Sequence, residues 1–392
     1  MSNQPVFIFN EEVLKYRFYQ EHPFDQFRVL LTNDLLMEIG ALSKEQLHSS
    51  VPASLQALQR IHREDYIEAV IQLSEELPDP DWILRAQQYG LHDEETPYFI
   101  GMHQAAASIA GGSIAACEAV MSGQASHALH LGGGLHHAFP ERGAGFCVYN
   151  DAAVAISHIH EKYQARVLYI DTDVHHGDGV QWSFYTDPHV LTYSIHETGK
   201  YLFPGTGFVH ERGEGEGFGA CVNVPLDPYT EDDSWLDCFK RTVEQTAAVF
   251  KPDLIVSQHG CDAHALDPLS HMHCSMKIYK EMPRIIHEAA HAFCDGKWVA
   301  LGGGGYDIWR VVPRAWSLLW LEMIDHPLAA QLDHSPILPL PESWIQRWKE
   351  QAIHELPTTW LDDVNTWTPM PRRSLISEHN LKVSHLAMEY VR

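Results

Sequence analysis

No C-x-x-C pair occurs among the seven cysteines, which stand singly at 117, 147, 221, 238, 261, 274 and 294. An odd, irregularly spaced set excludes a disulfide framework and a structural zinc ribbon, and leaves buried thiols that pack as small hydrophobes. No apolar run approaches the ~20 residues that a membrane-spanning helix needs. The opening stretch MSNQPVFIFNEEVLKYRF turns acidic at Glu11, so neither a signal peptide nor a transit peptide is expected, and the chain reads as soluble and cytoplasmic. Positive charge is scarce: 27 Lys and Arg against 52 Asp and Glu give a formal charge of −25. Such a surface repels phosphate backbones, so nucleic acid is not an expected partner, and it mildly favours cationic, lysine-bearing substrates. Repeats and low-complexity tracts are missing as well.

What the 392 residues do contain is apolar matter for a large core, 45% of the total. Short runs rich in Val, Ile and Leu predict strands at Pro5–Phe9, His127–Leu131, Arg166–Asp173, Val190–His196, Asp253–His259 and Lys297–Leu301. Helical patterns fill the intervals at Gln104–Met121, Asp151–Tyr163, Trp235–Phe250 and Lys277–Phe293. This alternation predicts an α/β fold, a single domain with a mostly parallel sheet flanked by helices on both faces. After about residue 320 the pattern changes. The proline-rich His334–Pro341 cannot continue a helix, Trp344–His354 reads as helical, and Thr358–Arg392 reads as irregular. The division expected is a catalytic domain over 1–320 and a C-terminal extension over 321–392 that packs on the core.

The strand ends carry the polar chemistry. HLGGGLHH, YIDTDVHHGD, YSIHETG, SQHGCDAH and LGGGGYD each begin apolar and finish in Gly, His, Asp or Tyr. In open parallel sheets the ligand crevice lies outside the carboxyl ends of the strands, so five segments would deliver reactive groups to one rim. On an extended strand Asp171, Asp173 and His175 share one face. Asp173 and His175 offer an oxygen and a nitrogen suited to zinc or ferrous iron, and a polar turn capping the next helix is the plain alternative. A third ligand is expected from Asp262, with His259 and His264 as competitors on spacing alone. Two oxygens and one nitrogen leave a catalytic metal an open position for water. The adjacent His136 and His137 are either a general acid/base pair, with Asp171 and Asp178 available to orient them, or a pair of surface or satisfied core histidines. Four glycines before Tyr306 lack the Lys-Ser/Thr of a phosphate loop, so the segment is either a turn presenting the Tyr306 hydroxyl to a carbonyl or a simple tight turn with a packed Tyr. Phe146 and Phe203, each beside glycines, are either slot walls or ordinary core.

Together, HLGGGLHHAFPERGAGFCVYNDAAVAI, VLYIDTDVHHGDGVQ, FPGTG, DAHALDP and LGGGGYD resemble the histone deacetylase superfamily with its arginase–deacetylase fold. The match runs over roughly residues 5–320 in the expected order. The start EEVLKYRFYQEHPFDQFRVLLTNDLL and the proline-rich tail look most similar to bacterial acetoin-utilisation deacetylases. The resemblance implies a metal-dependent protein lysine deacetylase with Asp173, His175 and Asp262 as ligands of Zn2+, or alternatively Fe2+. It makes His136 and His137 the tandem histidines, paired with Asp171 and Asp178, and Tyr306 the residue that polarises the carbonyl. Phe146 and Phe203 become tunnel walls, Gly145 a backbone acceptor for the substrate amide, and Gly304 a further substrate contact. Potassium is implied behind the site, on Asp171 and the carbonyls of Asp173, His175, Ser194 and Ile195. Arg28 matches an arginine lining an internal cavity beneath the metal. The implied partner is an acetylated protein such as acetyl-CoA synthetase.

Two positions separate this chain from its relatives. The family places an Asp before the Cys/Asn-Pro of a rim loop, whereas here Glu95 stands before Thr-Pro, with Asp93 nearby. Either carboxylate is a candidate to hold the substrate backbone. Polyamine-deacetylating relatives carry an acidic residue after the D-P pair. Here Asp267-Pro268 is followed by Leu269, an apolar lid suited to a protein-bound acyl-lysine. Binuclear manganese relatives need further carboxylates; Gly260 stands two residues before Asp262, so one metal is expected.

Overall fold

The computed structural model describes residues 4–335 and 337–391. Pro336 of the proline-rich connection and Arg392 at the end of the tail lie outside the described residues.

Among the described residues eight strands form one sheet: β1 Val6–Ile8, β2 Leu47–His48, β3 His127–His130, β4 Val167–Asp171, β5 Val190–Glu197, β6 Cys221–Leu226, β7 Leu254–Gln258 and β8 Trp298–Leu301. Their order is β2-β1-β3-β8-β7-β4-β5-β6, and every pairing is parallel. Strands β3, β4, β5, β7 and β8 are buried along their whole length, which is why they are rich in Val, Ile and Leu and show no regular alternation of apolar and polar residues. The helices Met102–Met121 and Asp151–Tyr163 pack on each other, and Met276–Phe293 packs against both Asp232–Phe250 and Val312–Met323.

All six predicted strands and the four helices expected between them are present, with ends shifted by up to three residues, whereas the helix expected over Trp344–His354 runs only from Glu342 to Trp348. Two edge strands escaped the reading. β2 has only two residues, too few for any periodicity. β6 carries Asn223 and Pro225 in its run, and proline is tolerated there because the strand lies at a sheet edge.

The tail departs from the expectation of an irregular Thr358–Arg392. Arg373–Ala387 is a helix that packs on Asp232–Phe250 and on β6. Its mixed polarity hid it, because the buried face alternates Asn380 and Ser384 with Val383 and Ala387. The Asn380 amide donates to Thr230 Oγ1 at 2.8 Å and Ser234 Oγ at 3.0 Å, and accepts from the Asp227 N–H. Trp344 and Trp360 belong to the main apolar core.

Asp362 ties the tail to the body. It accepts from Arg314 Nη1 at 2.9 Å, faces His264 Nε2 at 2.9 Å and accepts from the Met276 N–H at 2.8 Å. Burial opposes its charge, but His264 and Arg314 outweigh that and hold the carboxyl well below the usual carboxylate range. Arg314 is itself buried, so Asp362→Ala strands a cation and is expected to cost about 3–5 kcal/mol, read as a lower urea midpoint. A depressed carboxyl stabilises the fold above its unfolded value of ~3.9 and loses that stabilisation as pH falls further. The gap between wild type and variant is therefore expected to narrow in titrations below pH ~4.

Candidate active site

The strand order β3-β8-β7-β4 places four carboxyl ends side by side at the centre of the sheet. The segments leaving them carry His136 and His137, Tyr306, Asp262, and Asp171 through Asp178. Phe203 arrives after β5.

The route from β4 differs from the extended strand expected up to Asp173. β4 stops at Asp171, and the chain then bends. Asp171 Oδ1 accepts from the Asp173 N–H at 3.1 Å, and Asp173 Oδ1 accepts from the His175 N–H at 3.0 Å. Each aspartate captures the backbone two residues on, a local geometry that competes with the sheet ladder. The bend separates the roles of the aspartates. Asp171 turns toward His136, while Asp173 and His175 turn toward Asp262.

His175 Nδ1 lies 3.1 Å from Asp173 Oδ1 and 3.1 Å from Asp262 Oδ2. One donor atom from each of the three residues lies within 4.8 Å of the others, and all three residues are buried. Zinc–ligand bonds of about 2.0–2.1 Å in a tetrahedron put ligand atoms about 3.3 Å apart, so this spacing fits a single ion. The outer oxygens are already engaged. Asp173 Oδ2 accepts from the Gly304 N–H at 2.7 Å and from Gln258 Nε2 at 2.8 Å, and Asp262 Oδ1 accepts from the Val174 N–H at 2.9 Å. Carboxylates held this way present their free oxygens inward. His259 and His264, the competitors on spacing, point elsewhere: His259 Nε2 meets Ser257 Oγ, and His264 meets Asp362.

The tandem histidines each face their own carboxylate, His136 Nδ1 to Asp171 Oδ2 at 2.7 Å and His137 Nδ1 to Asp178 Oδ1 at 2.7 Å. Their environments push them apart. Burial disfavours the His136 cation, but Asp171 and Asp173 outweigh it and raise its pKa to about 9. Burial, together with the neighbouring His136 and His175, holds His137 well below its ordinary value. Asp178 is pushed up to about 6 by burial.

A slot of about 210 Å3 leads to this group, lined by Glu95, His137, Gly145, Phe146, His175, Leu202, Phe203, Leu269 and Tyr306. Of these only Leu202 was not anticipated. The rim loop distinguishes the two acids: Asp93 Oδ1 caps the Glu95 and Thr96 N–H groups, whereas Glu95 lines the slot. Gly145 has a left-handed φ of 51°, and a Cβ there would sit 2.5 Å from His137 and 2.9 Å from Phe203. Only glycine fits. Gly304 does not line the slot; a Cβ on it would fall 2.1 Å from Asp262 Oδ2, so it backs the ligating group instead. Asp267 clamps Tyr306 and Leu269 through their N–H groups at 2.8 and 3.0 Å. Burial raises the Tyr306 phenol well above its ordinary value, so it stays a donor.

Tyr169, Tyr16 and His176 support the site without having stood out in the sequence, whereas Arg28, Ser194 and Ile195 were anticipated. The Tyr169 hydroxyl donates to Asp171 Oδ2 at 2.8 Å from inside β4. Tyr16 donates to the Phe146 carbonyl at 2.6 Å, and the Phe146 N–H donates to Thr96 Oγ1. His176 braces the Phe203 loop through Thr206 Oγ1 at 2.8 Å. Arg28 is fully buried, donates to the Gly305 carbonyl at 2.9 Å and lies over the rings of Phe24 and Trp316. Asp171 pairs with Ser194 across β4 and β5, with Ile195 next along. A larger cavity of about 770 Å3, bounded by Tyr201, Tyr229, Met370 and Leu375, contains neither the tandem histidines nor the three candidate ligands. The chemistry converges on the smaller one.

Comparison with known proteins agrees with this geometry. The model of the histone deacetylase domain matches residues 22–323. The acetoin utilization protein AcuC of Bacillus subtilis is 50% identical over 390 residues, covering 99% of this chain and 97% of that protein. The AcuC protein of Staphylococcus aureus (strain Mu50) is 47% identical over 390 residues, covering 99% and 98%. Among solved structures, an HDAC homolog from Aquifex aeolicus superposes with a TM-score of 0.83 at 28% identity, covering 97% of this chain and 100% of that one. An HDAC homolog in complex with SAHA gives 0.82 at 28% identity, covering 98% and 100%. With its fold, its slot and these relatives in agreement, the chain belongs to the histone deacetylase family, as a hydrolase similar to the acetoin-utilisation proteins.

Proposed function

We propose that the chain hydrolyses the amide of Nε-acetyl-lysine in proteins, releasing acetate and free lysine. The observation that carries this reading is one narrow slot lined at once by His175 of the ligating group, His137 and Tyr306, with phenylalanines along it. Phe146 and Phe203 suit the apolar methylenes of a lysine side chain and exclude water around them. Gly145 supplies a carbonyl to the substrate amide N–H, and Glu95 at the rim accepts backbone N–H groups of the peptide. Asp173, His175 and Asp262 would hold Zn2+ or Fe2+, which supplies Lewis acidity toward the amide carbonyl and toward water. His137, neutral and oriented by Asp178, takes the proton of the attacking water and returns it to the departing lysine amine. Tyr306 donates its O–H to the carbonyl oxygen as negative charge develops there. His136, held as a cation by Asp171, offsets that charge.

Potassium on Asp171 and the carbonyls of Asp173, His175, Ser194 and Ile195 would stiffen the bend after β4. The catalytic unit in this reading is residues 1–320, with 321–392 docked on it as an extension. Among the described residues no helix is long and apolar enough to cross a membrane, and the strongly acidic chain argues against nucleic acid as a partner. Acetylated metabolic enzymes such as acetyl-CoA synthetase are the natural substrates to try first. A panel of acetylated peptides, acetylpolyamines and longer acyl-lysine peptides tests the reading. Acetyl-lysine peptides are expected to give the highest kcat/KM. A preference for acetylpolyamines would overturn the protein substrate and would point away from Leu269 as a lid.

A further inference from the structure

Three histidines meet at the opposite edge of the sheet. His127 opens β3, nine residues before His136, so it lies at the amino ends of the strands rather than the catalytic rim. His287 and His291 sit at i and i+4 on the helix Met276–Phe293, one above the other on the same side. His287 Nε2 is 3.2 Å from His127 Nε2 and 3.1 Å from His291 Nε2. One nitrogen from each ring lies within 4.8 Å of the other two.

Hydrogen bonding alone does not account for this arrangement. Glu322 Oε1 stands 3.3 Å from His287 Nδ1, and a carboxylate only accepts, so that nitrogen carries the hydrogen. The neutral ring then presents a bare lone pair at Nε2 toward both other imidazoles. One lone pair serves two N–H donors poorly. His127 is buried; its Nδ1 makes no well-formed hydrogen bond and has only the Gly296 backbone nearby, while its Nε2 turns to this group. The Trp298 ring closes the inner side, 5.4 Å from His287 and 5.9 Å from His127 between centroids. His291 is exposed and leaves an approach from solvent.

We propose that His127, His287 and His291 form a second metal site, which takes a divalent transition ion, foremost Zn2+, through three Nε2 atoms. Three imidazoles select zinc, copper or nickel over magnesium or calcium. Nearest-neighbour spacings of 3.1 and 3.2 Å match ligands about 2.0–2.1 Å from one ion, and water from the exposed side completes the tetrahedron. Glu322 orients His287 as outer carboxylates orient metal-bound histidines. The ion is a clasp that ties the first residue of β3 to a helix on the sheet's face, and its role is to stabilise the fold. It stands apart from the catalytic group and does not depend on the reaction proposed above.

The full-length protein, stripped of metal, reloaded with Zn2+ and dialysed, gives the test by mass-spectrometric metal counting. Wild type is expected to retain two ions per chain and His291→Ala one, with acetate release unchanged and a smaller rise in Tm on adding Zn2+. His291 is exposed, so its truncation leaves the core packed, and His291→Gln provides a second variant. A His291→Ala protein that keeps the wild-type count overturns the clasp. Asp173→Ala separates the two sites. If it retains the wild-type count while His291→Ala loses an ion, the clasp stands and the catalytic ligand assignment fails.

Discussion

Replacing His137 with alanine is expected to lower kcat on an acetyl-lysine peptide by about 10²–10⁴-fold, the usual contribution of a positioned acid/base. His137 lines the slot beside His175, and Asp178 fixes its ring from behind at 2.7 Å. Burial and the neighbouring His136 and His175 keep it neutral, the form that accepts a proton. Its partner His136 is raised to about 9 by Asp171 and Asp173 against burial, so the two rings are not interchangeable. Metal content of the variant is expected to stay unchanged, because none of the three candidate ligands is touched. Steady-state kinetics beside a metal count checks this. Full turnover in the variant would remove His137 from the mechanism.

Tyr306→Phe is expected to lower kcat by about 10²–10³-fold, the range for losing one donor to a developing oxyanion. The substitution removes only the hydroxyl. The ring keeps its edge contact with Phe146 at 5.7 Å, and Asp267 still holds the backbone N–H, so the slot keeps its shape. KM is therefore expected to change much less than kcat. A rise in KM with kcat intact would make Tyr306 a binding residue and not a polarising one.

Most of the parallel sheet was legible because its central strands are buried on both faces and thus read as short runs rich in Val, Ile and Leu. The tail helix Arg373–Ala387 was not, since Asn380 anchors it through polar contacts that leave no apolar stripe. In the site, adjacency made His136, His137 and the Asp173–His175 pair visible. The bend after Asp171 was hidden, because an Asx turn competes with extended structure only once the chain has somewhere to go. Placing Glu95 and Asp93 relative to the slot required the rim loop itself, where Glu95 lines the slot and Asp93 caps its own turn. Tyr169 and Tyr16 act through their hydroxyls, Tyr169 on Asp171 and Tyr16 on Phe146 and Val148, and nothing in their neighbourhood marks them. The cluster of His127, His287 and His291 was invisible for the same reason, its members separated by up to 164 positions.

Acetate release from an acetyl-lysine peptide, by metal-free protein and again after adding back zinc or ferrous iron, tests the central claim most directly, with Asp173→Ala alongside. The account predicts no release without metal, release on adding it back, and none from the variant under either condition. Metal-independent release, or a variant as active as wild type, would contradict it.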